Sequence, residues 1–197
     1  MIYLVLIAFA SLVQGFLVTY DELYLKHSVL GKNIEQISIY IYLIVEATCS
    51  LLFIRSYLRS RQTRRILALV NILFVICVIA YWQTHASIKV YPWFITNSEG
   101  FLIIAGALCF FYELFNYKPY LNLIREPSFW AISGMLVVYS AITPLFLVFN
   151  YLRKSDPALT SKLYIINHTS YCLLFITFVT AIVLDKNGYP KTINNIG

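Results

Sequence analysis

The sequence predicts an all-α fold, a polytopic bundle of six transmembrane helices, and three observations carry that prediction. Hydrophobic residues make up 60% of the chain and charged ones only 12%, with a mean hydropathy of +0.73, whereas soluble domains carry roughly 25% charged residues. Six uncharged or nearly uncharged stretches, residues 1–20, 36–54, 66–82, 99–115, 129–152 and 163–184, each approach the ~20 residues that a helix needs to cross a ~30 Å hydrocarbon core. Between the second and third lies RSYLRSRQTRR, residues 55–65, with Arg55, Arg59, Arg61, Arg64 and Arg65. Short loops dense in Arg and Lys are retained on the cytoplasmic side of a membrane, so this loop sets the orientation of the helices around it.

The first stretch, MIYLVLIAFASLVQGFLVTY, has no basic residue before its apolar run, as a signal peptide would. It is therefore read as a retained first helix. With the arginine loop inside, the mixed-charge loop 21–35 falls outside and the N-terminus is cytoplasmic. The third stretch ends in Tyr81 and Trp82, and residues 83–98, with Pro92 and Trp93, form an exterior loop whose aromatic rings suit the interface. The fourth opens on Glu99, a carboxylate favoured in a first turn by the helix dipole. Residues 116–128 return to the cytoplasm, and Pro127-Ser128 opens the fifth helix. Pro144 sits near the middle of that helix. Its missing amide should bend the chain there, with Ser140 or Thr143 able to satisfy the freed carbonyl. The bend is either a packing kink or a hinge. A short exterior turn over 153–162 precedes the sixth helix, and 185–197 is a short cytoplasmic tail after a single transmembrane domain, 1–184.

Lys and Arg then number nine on the cytoplasmic side and six outside. The arginine loop alone decides the sign. A net charge of +6 is accounted for by this topological signal and leaves no basic, aromatic surface for nucleic acid. Cys49, Cys77, Cys109 and Cys172 all lie within apolar runs and form no C-x-x-C pair, so neither a disulfide framework nor a metal site is expected. Phosphate-binding, nucleophile-elbow and zinc-protease motifs do not occur. No cofactor and no enzymatic activity are expected.

Ionisable groups inside a bilayer are costly, by roughly 2.5–3.5 kcal/mol on insertion scales, and so mark candidate sites. Glu46, in IYLIVEATCSLL, shares a helix face with Tyr42, Cys49 and Phe53. Asn71 stands at similar depth on the third helix. Glu46 is either a proton- or cation-sensing group or a paired carboxyl that joins helices. Glu99, Gly106 and Glu113 recur every seven residues and so fall on one stripe. Gly106 would allow close helix approach, and both glutamates are expected near the interface within reach of water. His168, in IINHTSYCLLF, is either a pH- or ligand-sensing group or a structural one. With no second histidine at i+3 or i+4 it is not read as a metal ligand.

The runs SEGFLIIAGALCFFYELF, EPSFWAISGMLVVYS and IINHTSYCLLF resemble a group of bacterial polytopic membrane proteins similar to the membrane-embedded input regions of sensor histidine kinases. The resemblance extends over the second to sixth helices and rests on Glu46, Glu99, residues 127–130 with Tyr139, and His168. It implies an inner-membrane sensory or accessory module. No dimerisation helix, phospho-accepting histidine or ATP-binding domain stands between Leu184 and Gly197, so output is expected through a separate protein partner at the cytoplasmic face. The five arginines are the candidate docking surface, with membrane lipids as the other contact. The alternative is a homo-oligomeric pore or small transporter in which Glu46 and Glu113 line a cation path.

Overall fold

The computed structural model describes residues 29–85, 93–117, 123–155 and 157–186. The described residues are helical: α1 Val29–Tyr57, α2 Arg61–His85, α3 Trp93–Tyr117, a 3-10 turn Leu123–Arg125, α4 Pro127–Ser155 and α5 Pro157–Lys186. Each contains a stretch long and apolar enough to cross a membrane, namely Ile39–Tyr57, Arg61–Thr84, Phe94–Asn116, Pro127–Val148 and Thr169–Lys186. Five such helices are consistent with a multi-pass membrane protein. The expected helix over 1–20 and the tail beyond Lys186 lie outside the described residues.

The arginine segment is less of a loop than its charge suggests. Only Leu58, Arg59 and Ser60 are non-helical; Arg55 belongs to the last turn of α1, and Arg61, Arg64 and Arg65 to the first turns of α2. Hydropathy ends a span where charge begins, but backbone helicity does not. Arginine is a good helix former, and Ser60 supplies the cap: its Oγ accepts from the Thr63 amide at 3.3 Å and its carbonyl from the Arg64 amide at 3.0 Å. The turn itself closes through the Leu58 amide onto the Arg55 carbonyl at 3.3 Å.

Three other boundaries move for similar reasons. α3 starts at Trp93, so Glu99 lies nearly two turns inside the helix rather than in its first turn. The expected loop over 83–98 therefore gives way to helix from Trp93 onward, where Ser98 Oγ donates back to the Phe94 carbonyl at 2.8 Å and leaves the helix intact. The expected turn over 153–162 is nearly all helix, because α4 continues to Ser155 and α5 begins at Pro157. Proline is well suited to a first helical position, where its missing amide has no intrahelical partner to lose. Pro127 opens α4 in the same way, as expected, with the Phe129 amide donating to the Glu126 carbonyl at 3.1 Å.

Packing runs α2 on α1, α1 on α3, α3 on α4 and, most extensively, α4 on α5. The main core joins Phe53 and Ile54 of α1, Ile103 and Phe110 of α3, Met135 of α4 and Phe178 of α5. A second cluster holds Tyr40, Leu43, Phe74, Val78 and Ile95. Two glycines set the helix spacing. A Cβ on Gly100 would fall 2.2 Å from Thr143 Oγ1, and one on Gly134 would fall 2.0 Å from Thr177 Oγ1, so α4 approaches both neighbours at small-residue distance. At Gly106, where close approach was expected, a Cβ would meet Ile54, Leu51 and Leu67 at 3.4–3.5 Å, an ordinary contact. Leu69, Ile72, Leu73 and Ile76 of α2, with Ile176, Val179 and Val183 of α5, form exposed apolar faces. Such faces mark binding or membrane surfaces on a protein, and here lie on the two helices that bury least.

Candidate functional site

Glu46 lies on the face of α1 that meets α3 and α4, and it is 1% exposed. Its Oε1 accepts from the Tyr139 hydroxyl of α4 at 2.5 Å, joining residues far apart in the chain. Tyr42, one turn earlier on the same face, adds a second side-chain hydrogen bond. Glu99 of α3, 2% exposed, comes to the same place. Together these side chains wall a cavity of about 30 Å³ that Thr96, Gly100, Thr143 and, from α5, Tyr171 complete, with Leu43, Ile142 and Phe146 as its apolar part. Four helices therefore contribute to one chamber with room for about one water-sized particle. The Oε1 atom of Glu99 is buried without a hydrogen-bond partner, an arrangement that in a folded protein calls for an explanation.

The second site is at the arginine end. Glu113, near the C-terminus of α3, is 7% exposed, and its Oε2 accepts from the amides of Arg59 at 2.6 Å and Ser60 at 3.2 Å. These belong to the short turn between α1 and α2, and the carboxylate stabilises a chain reversal that helical bonds cannot satisfy. Glu113 Oε1 is buried without a partner, beside an open groove of about 360 Å³ that Ser60, Thr63, Leu108, Cys109 and Tyr112 share.

The seven-residue stripe is thus real: Glu99, Gly106 and Glu113 are all buried, and Gly106 and Glu113 meet α1 and the turn after it. The expectation that both glutamates sit within reach of water is corrected for Glu99, which is closed into the chamber, whereas Glu113 is largely buried but borders the open groove. Each is met by a neighbouring element that periodicity within α3 alone does not reveal. Asn71 is buried, but it joins Thr48, whose Oγ1 lies 3.5 Å from Asn71 Oδ1. Thr48 is two residues from Glu46, about 200° around the helix, so Asn71 does not belong to the carboxylate site. Arg59, Arg61, Arg64 and Arg65 are exposed and Arg55 partly so. α4 is continuous through Pro144, which is exposed, while Thr143 is turned into the cavity. The backbone of His168 belongs to α5, but its side chain lies outside the described residues.

Sequence reasoning missed Thr143, Thr96 and Tyr171 as cavity residues, and Glu126, which is buried and accepts from Ser128 Oγ at 3.1 Å. Hydroxyl residues in a spanning helix resemble any others until the neighbouring helix is placed. It also missed Asn97, whose amide oxygen and nitrogen are both buried without partners. Chemically, the chamber offers carboxylate and hydroxyl oxygens to one small polar guest. Among the described residues, no group of three or more His, Cys, Asp or Glu side chains is placed to hold a metal ion. In comparison with known proteins, no family model, no curated protein and no solved structure matches the chain.

Proposed function

We propose that this chain is a sensory or accessory module of the membrane that passes a signal from the Glu46–Glu99–Tyr139 chamber to a separate partner, a kinase or comparable effector, at the arginine end. The carrying observation is that α1 and α3 are tied twice. Glu46 and Glu99 meet at the chamber, and Glu113 binds the Arg59–Ser60 turn. The ties lie 13 residues apart in the α1 segment and 14 in α3, roughly 20 Å along each at 1.5 Å per residue. The two helices therefore run parallel and in register. A change in the chamber that slides or tilts one against the other strains the bonds that hold the arginine turn. Packed helices carry such shifts as discrete rearrangements.

In this reading the arginine end faces the cytoplasm, residues 1–20 add a sixth spanning helix, both termini are cytoplasmic, and the chain resides in the inner, or plasma, membrane. It acts without catalysing a reaction of its own. Glu46, Glu99 and Tyr139, on which the resemblance to sensor-kinase input regions rests, serve as its input. Two observations favour this over an oligomeric pore. Glu46 is closed inside its own bundle by Tyr139, and Glu113 Oε2 is committed to the backbone amides of the Arg59–Ser60 turn, which is a structural tie rather than a pore lining.

The test is affinity purification of the tagged chain from its native membrane in mild detergent, with mass spectrometry of what is retained. The reading expects a signalling protein in stoichiometric amount, lost when Arg61, Arg64 and Arg65 are replaced by Gln. A chain that purifies only with copies of itself refutes it.

A further inference from the structure

We infer that the chamber between α1, α3, α4 and α5 is a binding site for one small alkali cation of sodium's size. Three observations converge on this. Its volume, about 30 Å³, admits one water-sized particle and excludes an organic ligand. Among the described residues its polar wall is all oxygen: two carboxylates, three tyrosine hydroxyls and two threonine hydroxyls, with no nitrogen or sulfur side chain. Oxygen-only walls select hard cations over zinc or copper. Finally, Glu99 Oε1 is buried in that wall without a partner, although the tyrosine opposite already donates to Glu46.

A cation supplies what the wall lacks. Among the described residues no Lys, Arg or His lines the chamber, and a buried carboxylate must take up a proton or a cation to offset its charge. A bridging ion would accept the orphaned Glu99 oxygen together with hydroxyl oxygens of the same wall. A single charge suits the site better than a double one. Calcium takes about 6–8 oxygens in a larger cage and magnesium retains several waters, whereas here Leu43, Ile142 and Phe146 close part of the wall. As a binding site the proposal stands on the chamber alone; as the stimulus, the ion rests on the relay reading above.

The experiment is thermal unfolding of the purified full chain in detergent, with sodium, potassium or choline chloride at one ionic strength. Above half-saturation, each tenfold rise in sodium should raise the melting temperature by about 3–5 °C, from the logarithmic dependence of ligand stabilisation and the temperature shift per unit free energy for a chain of this size. Choline should give no rise and potassium a smaller one. Glu99→Gln, which retains shape but not charge, should melt in choline no lower than the parent and lose the sodium response. If that variant does not fold, Thr143→Val removes one wall oxygen and should move the sodium midpoint at least tenfold upward. Equal melting temperatures in sodium and choline, equal stabilisation by sodium and potassium, or an unchanged response in both variants each overturns the site. A sodium response without a copurifying signalling protein removes the relay and leaves the site; a partner without a sodium response does the reverse.

Discussion

Replacing Tyr139 by Phe removes one oxygen from the chamber and little else, which makes it the sharpest test of the geometry. The hydroxyl donates to Glu46 Oε1 at 2.5 Å, and both residues are buried. Hydrogen bonds between membrane helices are worth about 0.6 kcal/mol on average and up to about 1.7, while a buried acceptor left unmatched costs about 1–3 kcal/mol. A loss of about 1–2 kcal/mol is therefore expected for Tyr139→Phe, or about 2–8 °C in melting temperature at 2–4 °C per kcal/mol. Glu46→Leu should cost at least as much, because it strands the hydroxyls of both Tyr139 and Tyr42. The double variant strands neither member of the Glu46–Tyr139 pair, so it should be more stable than the sum of the two losses by about 1 kcal/mol. Unfolding in detergent, followed by the fluorescence of Trp82, Trp93 and Trp130, provides the four measurements of the cycle. Additivity within about 0.3–0.5 kcal/mol, the scatter of non-interacting sites, would refute the Glu46–Tyr139 bond and with it the chamber as drawn.

Further outcomes follow from particular contacts. Gly100→Ala places a Cβ 2.2 Å from Thr143 Oγ1 and should cost about 1–3 kcal/mol as an overpacked contact, with Thr143→Ala restoring most of it. Gly106→Ala, whose Cβ would stand 3.4 Å or more from its neighbours, should melt close to the parent, and equal losses at the two glycines would contradict the packing. Ser60→Ala removes the cap of α2 and should cost about 0.5–2 kcal/mol; Glu113→Leu, which strands the Arg59 and Ser60 amides, should cost more, read in the same unfolding assay. Exchanging Arg61, Arg64 and Arg65 for Gln leaves six basic residues on each side of the proposed topology. Reporters fused at the C-terminus should then show mixed orientation, and an undisturbed orientation would locate the topological signal elsewhere.

The sequence displays its spans because hydropathy is a local property, and five of them coincide with α1 to α5 to within a turn or two of their apolar stretches. Helix ends were harder to read. Arg61 and Ser98 look like loop by polarity, yet a capping hydroxyl and a back-bonded side chain keep their backbones helical. Glu46, Glu99 and Tyr139 each stand out in an apolar run, since a polar group there is costly wherever it points. Their meeting depends on how three helices pack, including the close approach of Gly100 on α3 to Thr143 on α4, which no single helix reveals. Glu113 shows the same limit. Its spacing from Glu99 is legible, but its partners are backbone amides of a turn, which have no signature in a sequence of side chains.

The double tie between α1 and α3 also separates a relay from a mere scaffold. A scaffold needs the Glu113 contact only for stability, so Glu113→Gln, which retains one acceptor, should be nearly silent. A relay needs the contact to respond when the chamber changes, because a ligand shifts an equilibrium only through contacts that differ between its states. Amide exchange at Arg59 and Ser60 reports on this directly, since both donate to Glu113 in the present arrangement. With Glu99→Gln about 20 Å away along α3, the relay reading expects exchange at those two amides to change while amides in the middle of α2 remain as they were. Unchanged exchange at the turn would mean that the chamber and the arginine end stabilise the same bundle independently, and the arginines would then owe their place to topology alone.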